Sequence, residues 1–214
     1  MARFDPSSLL ATSLLSLVMV AASMPALQAA SRNSFPGRRI GGGTRGECAA
    51  RPLVHVVPAS SVFAPGDPSL IALLEGPSPD PQPLEVTLRS ARADGSVDAA
   101  APPVLERELP AAVNRLVLIS LPASSRPLLW ESSYRCGADS GDDEFGFITA
   151  SAPPALSLLV QEGEQQDQSI RQYLTALQSA CGGSTTLSRL QAALNFGDEV
   201  IDASWPQTVT VQCF

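Results

Sequence analysis

The sequence predicts a mainly β protein: an antiparallel, immunoglobulin-like β-sandwich with a short C-terminal helical appendage. Three observations predict it. Seven short apolar runs are separated by turn-forming clusters of Pro, Gly, Asp and Ser. Several runs alternate with a period of two, as Leu84, Val86 and Leu88 do against Glu85, Thr87 and Arg89, which marks a sheet with one buried face. The chain also carries 19 prolines in 214 residues, and proline breaks helix interiors.

In chain order, residues 1–30 read as a signal peptide. Arg3 precedes an apolar stretch from about Leu9 to Met24, and small residues follow up to Ser31. That stretch is short for a membrane span, which needs about 20 apolar residues. The expectation is an exported chain, periplasmic or extracellular, with no transmembrane span in its mature form. Residues 31–51 form a Gly/Arg-rich lead-in, "SRNSFPGRRIGGGTRGECAAR".

The sandwich is expected over residues 52–152. Its strands are "PLVHVV", "SLIALLE", "PLEVTLRS", "VLEREL", "VNRLVLISL", "LLWESSYRC" and "EFGFITA". "APGDP", "EGPSPDPQP" and "RADGSVDAAAPP" connect them as loops. Residues 153–214 are the helical appendage with a terminal strand. There Ile170, Tyr173, Leu174 and Leu177 recur at helical spacing and Gly182-Gly183 is a stop. A second short helix is read in "STTLSRLQAALNFG", capped by Ser184 or Thr185, and "WPQTVTVQCF" is the last strand. The helices are too few to enclose a core, so they are expected to pack on the sandwich.

Composition removes several functions. The net charge is -7, which argues against nucleic acid as a partner. No lysine occurs, so Walker phosphate loops, kinases, Schiff-base enzymes and Ser-Lys hydrolases lack an essential group. His55 is the single histidine, so no two-histidine metal site forms within the chain. No cofactor, metal site or catalytic residue is expected.

Four cysteines, Cys48, Cys136, Cys181 and Cys213, suit two disulfides in an oxidising compartment, with three possible pairings. Between Cys181 and Cys213 a bridge is worth about 3–4 kcal/mol in the chain-entropy model. The lead-in offers one candidate ligand site. Consecutive glycines expose backbone N–H groups, and Arg38, Arg39 and Arg45 add positive charge suited to an anion. The preferred reading is structural: glycine lets the segment lie close against the sandwich.

Other candidates also have plain explanations. Asp139, Asp142, Asp143 and Glu144 sit in a loop whose spacing misses a calcium-binding EF-hand. His55 reads as a half-buried strand histidine, since no Gly-x-Ser-x-Gly elbow accompanies it. Trp130 and Tyr134 share a strand face and read as core rather than as a sugar-stacking platform.

The box "GRRIGGGTRGEC", the strand ending "VVP", "LPAAVNRLVLISLP", "LLWESSYRC" and "DDEFGFITASAPPAL" together resemble one family. It is the cyanobacterial exported family catalogued as domain of unknown function 928, and the resemblance spans roughly Gly37 to Leu156. It implies an extracytoplasmic location and no particular reaction. The expected role is therefore a non-catalytic interaction or structural module of the cell envelope, with an envelope protein as partner. Anion or glycan binding is the alternative, and a paired-carboxylate glycosidase the remaining enzyme class.

Overall fold

The computed structural model describes residues 35–42, 52–92, 94–135, 153–194, 196 and 201–214. It is mainly β. The strands are β1 (Ile40–Gly41), β2 (Leu53–His55), β3 (Val62–Phe63), β4 (Leu70–Glu75), β5 (Leu84–Ser90) and β6 (Leu105–Leu109). They continue with β7 (Arg115–Ser120), β8 (Leu128–Tyr134), β9 (Ala155–Leu159), β10 (Ser184–Thr186) and β11 (Thr208–Cys213). Two helices, α1 (Gln165–Gln178) and α2 (Leu187–Leu194), complete the described elements.

The strands form two sheets, ordered β1-β2-β4-β7-β11-β10 and β3-β9-β8-β5-β6. Both are mixed, which corrects the antiparallel expectation: β11 runs parallel to β7, and β3 parallel to β9. The physical reason is the length of the connections. A parallel partner needs a long crossover, and the chain between β7 and β11 includes both helices.

Burial follows the sequence patterns. In β5 the alternating residues give one buried and one wetter face. By contrast β4 is buried at every position and β7 at all but its last residue. Those continuous apolar runs are covered on both sides, by the second sheet and by α1, which contacts both strands. Side chains of both sheets and both helices belong to one hydrophobic cluster.

Helix α1 starts at a capping box in which the Glu164 backbone N–H donates to Asp167 Oδ2 at 2.7 Å. Its buried Ile170, Leu174 and Leu177 face the cluster. The turn after it is fixed to β11: Gly182 N–H donates to Val211 O, and Val211 N–H to Gly183 O, both at 2.9 Å. Cys181 and Cys213 are disulfide-bonded beside these contacts, with Cα atoms 5.7 Å apart.

The C-terminal segment departs from the sequence expectation in three places. "ALSLL" forms β9, an interior strand, because five apolar residues carry no period that distinguishes strand from helix. Ser184 to Thr186 form β10 rather than a helix cap, pairing with β11, and the β-branched threonines favour that geometry. The terminal strand is likewise interior, between β7 and β10. Among the described residues, no helix is long and apolar enough to cross a membrane. The run "EFGFITA", the acidic loop from Asp139 to Glu144, Cys48 and Cys136 lie outside the described residues.

Candidate functional site

The arginine-glycine lead-in is built into both sheets. Strand β1 pairs with β2, while the Arg38 backbone exchanges hydrogen bonds of 2.7–2.8 Å with Leu156 of β9. Gly41 makes this approach possible: a Cβ there would lie 2.4 Å from the backbone nitrogen of Ala155. The guanidinium of Arg39 lies over the Phe196 ring, 4.7 Å from its centroid, and donates to the Val57 carbonyl at 3.4 Å. Arg38 is exposed, whereas Arg39 is half-buried. Arg45, the third candidate for an anion, lies outside the described residues.

His55 sits deeper than its sequence context suggests. It is fully buried rather than half-buried, and its ring stacks on Trp130 with centroids 3.5 Å apart and planes within 9°. Nδ1 and Ser157 Oγ share a hydrogen bond at 2.9 Å, while the buried Nε2 has no hydrogen-bond partner among the described residues. A single side chain on β2 thereby joins two strands of the other sheet, β8 and β9. Trp130 is also fully buried and its indole N–H donates to Ser132 Oγ at 2.9 Å. Tyr134 is buried too, so these two aromatics offer no platform to a sugar.

A hydrogen-bonded serine and histidine suggest nucleophilic catalysis, but both are shut away from solvent. Burial instead holds His55 neutral, with its pKa well below 6.5. The sign of the pH effect follows. Neutral burial favours the fold fully above pH 6.5, and that contribution falls away as the pH drops below it. His55→Gln is therefore expected to gain stability relative to the native chain between pH 7.5 and pH 5. The gain is at most about 1.4 kcal/mol per pH unit, readable from urea midpoints at each pH. A pH-independent difference would contradict the buried neutral imidazole.

A second buried polar cluster has no signal in local sequence pattern. Glu75, ending β4, accepts from Arg115 Nε at 2.6 Å at the start of β7. Arg115 also donates to Gln212 Oε1 at 3.0 Å and to the Pro110 carbonyl at 2.8 Å. Both charged side chains are essentially sealed, and Glu75 Oε2 has no hydrogen-bond partner among the described residues. Burial pushes the Glu75 carboxyl up to about 7, against the pull of the Arg115 hydrogen bond and charge. The interlocked donors give this cluster an anchoring role between β4, β7 and β11.

Two clefts open to solvent. The larger, of about 580 Å³, lies between the Gly66–Ser69 turn, the loop after β7 and the end of β9, and among the described residues no aromatic side chain lines it. The smaller, of about 360 Å³, lies between the start of α2 and the segment from Ile201 to Thr208. Trp205 lines it together with hydroxyl, amide and carboxylate groups. In the sequence Trp205 stands only as the first residue of the terminal run "WPQTVTVQCF". The cleft itself forms by long-range pairing. Among the described residues, no group of three or more His, Cys, Asp or Glu side chains is arranged to hold a metal ion.

No known protein-family model, curated protein or solved structure matches the chain.

Proposed function

We propose that this chain is an exported, non-catalytic binding and structural module of the cell envelope. The observation that carries the reading is where the chemistry resides. Among the described residues, the hydrogen-bonded pair His55 and Ser157 and the ion pair Glu75 and Arg115 are sealed in the interior, out of reach of a substrate. The secretory character of residues 1–30 and the Cys181–Cys213 bridge support an oxidising compartment outside the cytoplasm. Two sheets sharing one core support a β-sandwich.

The resemblance to the domain of unknown function 928 family agrees with this role. Anion binding by the lead-in is the weaker alternative, because Arg39 already engages Phe196 and Val57. Ligand binding at the Trp205 cleft is the stronger one. Cell fractionation tests the proposal. The tagged full chain is expected outside the cytoplasm, processed near Ser31, with envelope proteins crosslinked to it. An unprocessed cytoplasmic chain would contradict it.

A further inference from the structure

We infer that the cleft beside Trp205 is a binding subsite for an uncharged saccharide. The inference rests on the binding-module reading and names the class of ligand.

Sugar recognition needs an aromatic face for the C–H surface of the ring. It also needs planar polar groups that pair with hydroxyls, each of which both donates and accepts. Trp205 and several polar side chains line the cleft. Trp205 is half-buried and held in place by the fold. A Cβ on Gly76 would lie 2.7 Å from Trp205 Cζ2 and 2.8 Å from Cη2, so the ring edge rests on bare backbone. The Trp205 backbone N–H donates to the Asp202 carbonyl at 3.2 Å, which closes the turn that carries it.

The polar groups around it are unspent. The side-chain amides of Gln191 and Gln207 make no hydrogen bond among the described residues, and both line the cleft. Asp202 uses one oxygen, Oδ1, to accept from the Ser204 backbone N–H at 2.8 Å and from its hydroxyl at 2.5 Å. These Ser204 bonds hold the carboxyl below its usual pKa, and Oδ2 makes no bond among the described residues. The walls are tied together, since Leu187 N–H at the start of α2 donates to the Gln207 carbonyl at 3.0 Å.

Charge selects the ligand class. Among the described residues, no arginine or histidine lines the cleft, and Asp202 is the one carboxylate in its wall. A phosphate, sulfate or uronic acid would meet a carboxylate with no cation to balance it. A neutral sugar meets hydroxyls, amides, an indole, aliphatic side chains and a carboxylate that accepts from its hydroxyls. The volume of 360 Å³ falls at the small end of ligand sites, about 300–1,000 Å³, and suits one or two sugar units of a longer chain.

Nuclear magnetic resonance of the full-length mature chain tests this through its two indole N–H signals, one from each tryptophan. The Trp205→Phe variant assigns them. Maltotriose, cellotriose and chitotriose are titrated at millimolar concentration, with trigalacturonate as the charged counterpart. The expected result is a saturable shift of the Trp205 signal with at least one neutral trisaccharide while the buried Trp130 signal stays fixed. Gln191→Ala, at a half-buried position, and Asp202→Asn, at an exposed one, should each weaken that binding about tenfold, as loss of one good hydrogen bond does. A Trp205 signal unmoved by every neutral sugar would overturn the proposal, as would tighter binding of trigalacturonate or unchanged affinity in both variants. Envelope crosslinks that persist beside such a failure would remove the saccharide and leave the binding module. Their absence would remove the module itself.

Discussion

Replacing Glu75 by leucine is expected to destabilise the fold by about 3–5 kcal/mol, the usual cost of breaking a buried charge pair. The variant would leave the Arg115 guanidinium, only 1% exposed, without its shortest acceptor at 2.6 Å. Bonds to Gln212 and Pro110 remain but do not balance the charge. Urea unfolding at pH 8 measures the loss, and a change below 1 kcal/mol, well under the cost of an unpaired buried charge, would show that Arg115 escapes to solvent. The double replacement Glu75→Leu with Arg115→Leu should cost less than Glu75→Leu alone, because it removes the orphaned charge.

Glu75 also carries a pH signature opposite to that of His55. Its carboxyl titrates near 7 in the fold against 4.5 as the ordinary value, so the folded chain binds the proton more tightly. That contribution is fully present below pH 4.5 and is lost as the pH rises towards 7. Glu75→Gln keeps a hydrogen-bond acceptor for Arg115 and removes the titration. Relative to the native chain, it should therefore gain stability as the pH rises through this window. His55 works in the other direction over part of the same range, so the native profile is flatter than that of either variant.

Removing the disulfide by Cys181→Ser with Cys213→Ser is expected to cost about 3–4 kcal/mol, from the entropy of a loop spanning 32 positions. Topology adds a local consequence. The bridge fastens the turn after α1 to the end of β11, the strand that lies parallel to β7 inside the larger sheet. Hydrogen exchange should accelerate first in β10, β11 and the end of α1. Unfolding midpoints with and without reductant give the magnitude. A midpoint unmoved once both thiols are shown to be free would contradict a stabilising bridge.

The sheets were legible in the sequence where the pattern is local. Alternation placed β5, and the apolar runs placed β4 and β7. The two parallel pairings were not, because strand direction is set by the long connections rather than by the strand residues. "ALSLL" reads equally as helix or strand until β8 pairs with it. The same limit applies to side chains. Ser157 meets His55 across 102 positions and Arg115 meets Glu75 across 40, separations that no local spacing encodes. Gly41 was different: a glycine run beside an arginine pair suggested close approach, and the Ala155 backbone lies against it. The Trp205 cleft joins α2 to the segment before β11, so it exists only once β10 and β11 have paired.

The role of this chain turns on whether its buried chemistry is structural and its exposed surface engages the envelope. In-cell crosslinking of the tagged native chain and of Ser157→Ala, each followed by mass spectrometry, measures this most directly. The expected result is one or two dominant envelope proteins captured equally by both forms, since Ser157 only supports the core. Capture of no envelope component by either form, or an envelope product formed by the native chain and lost in Ser157→Ala while the fold persists, would contradict a non-catalytic binding module.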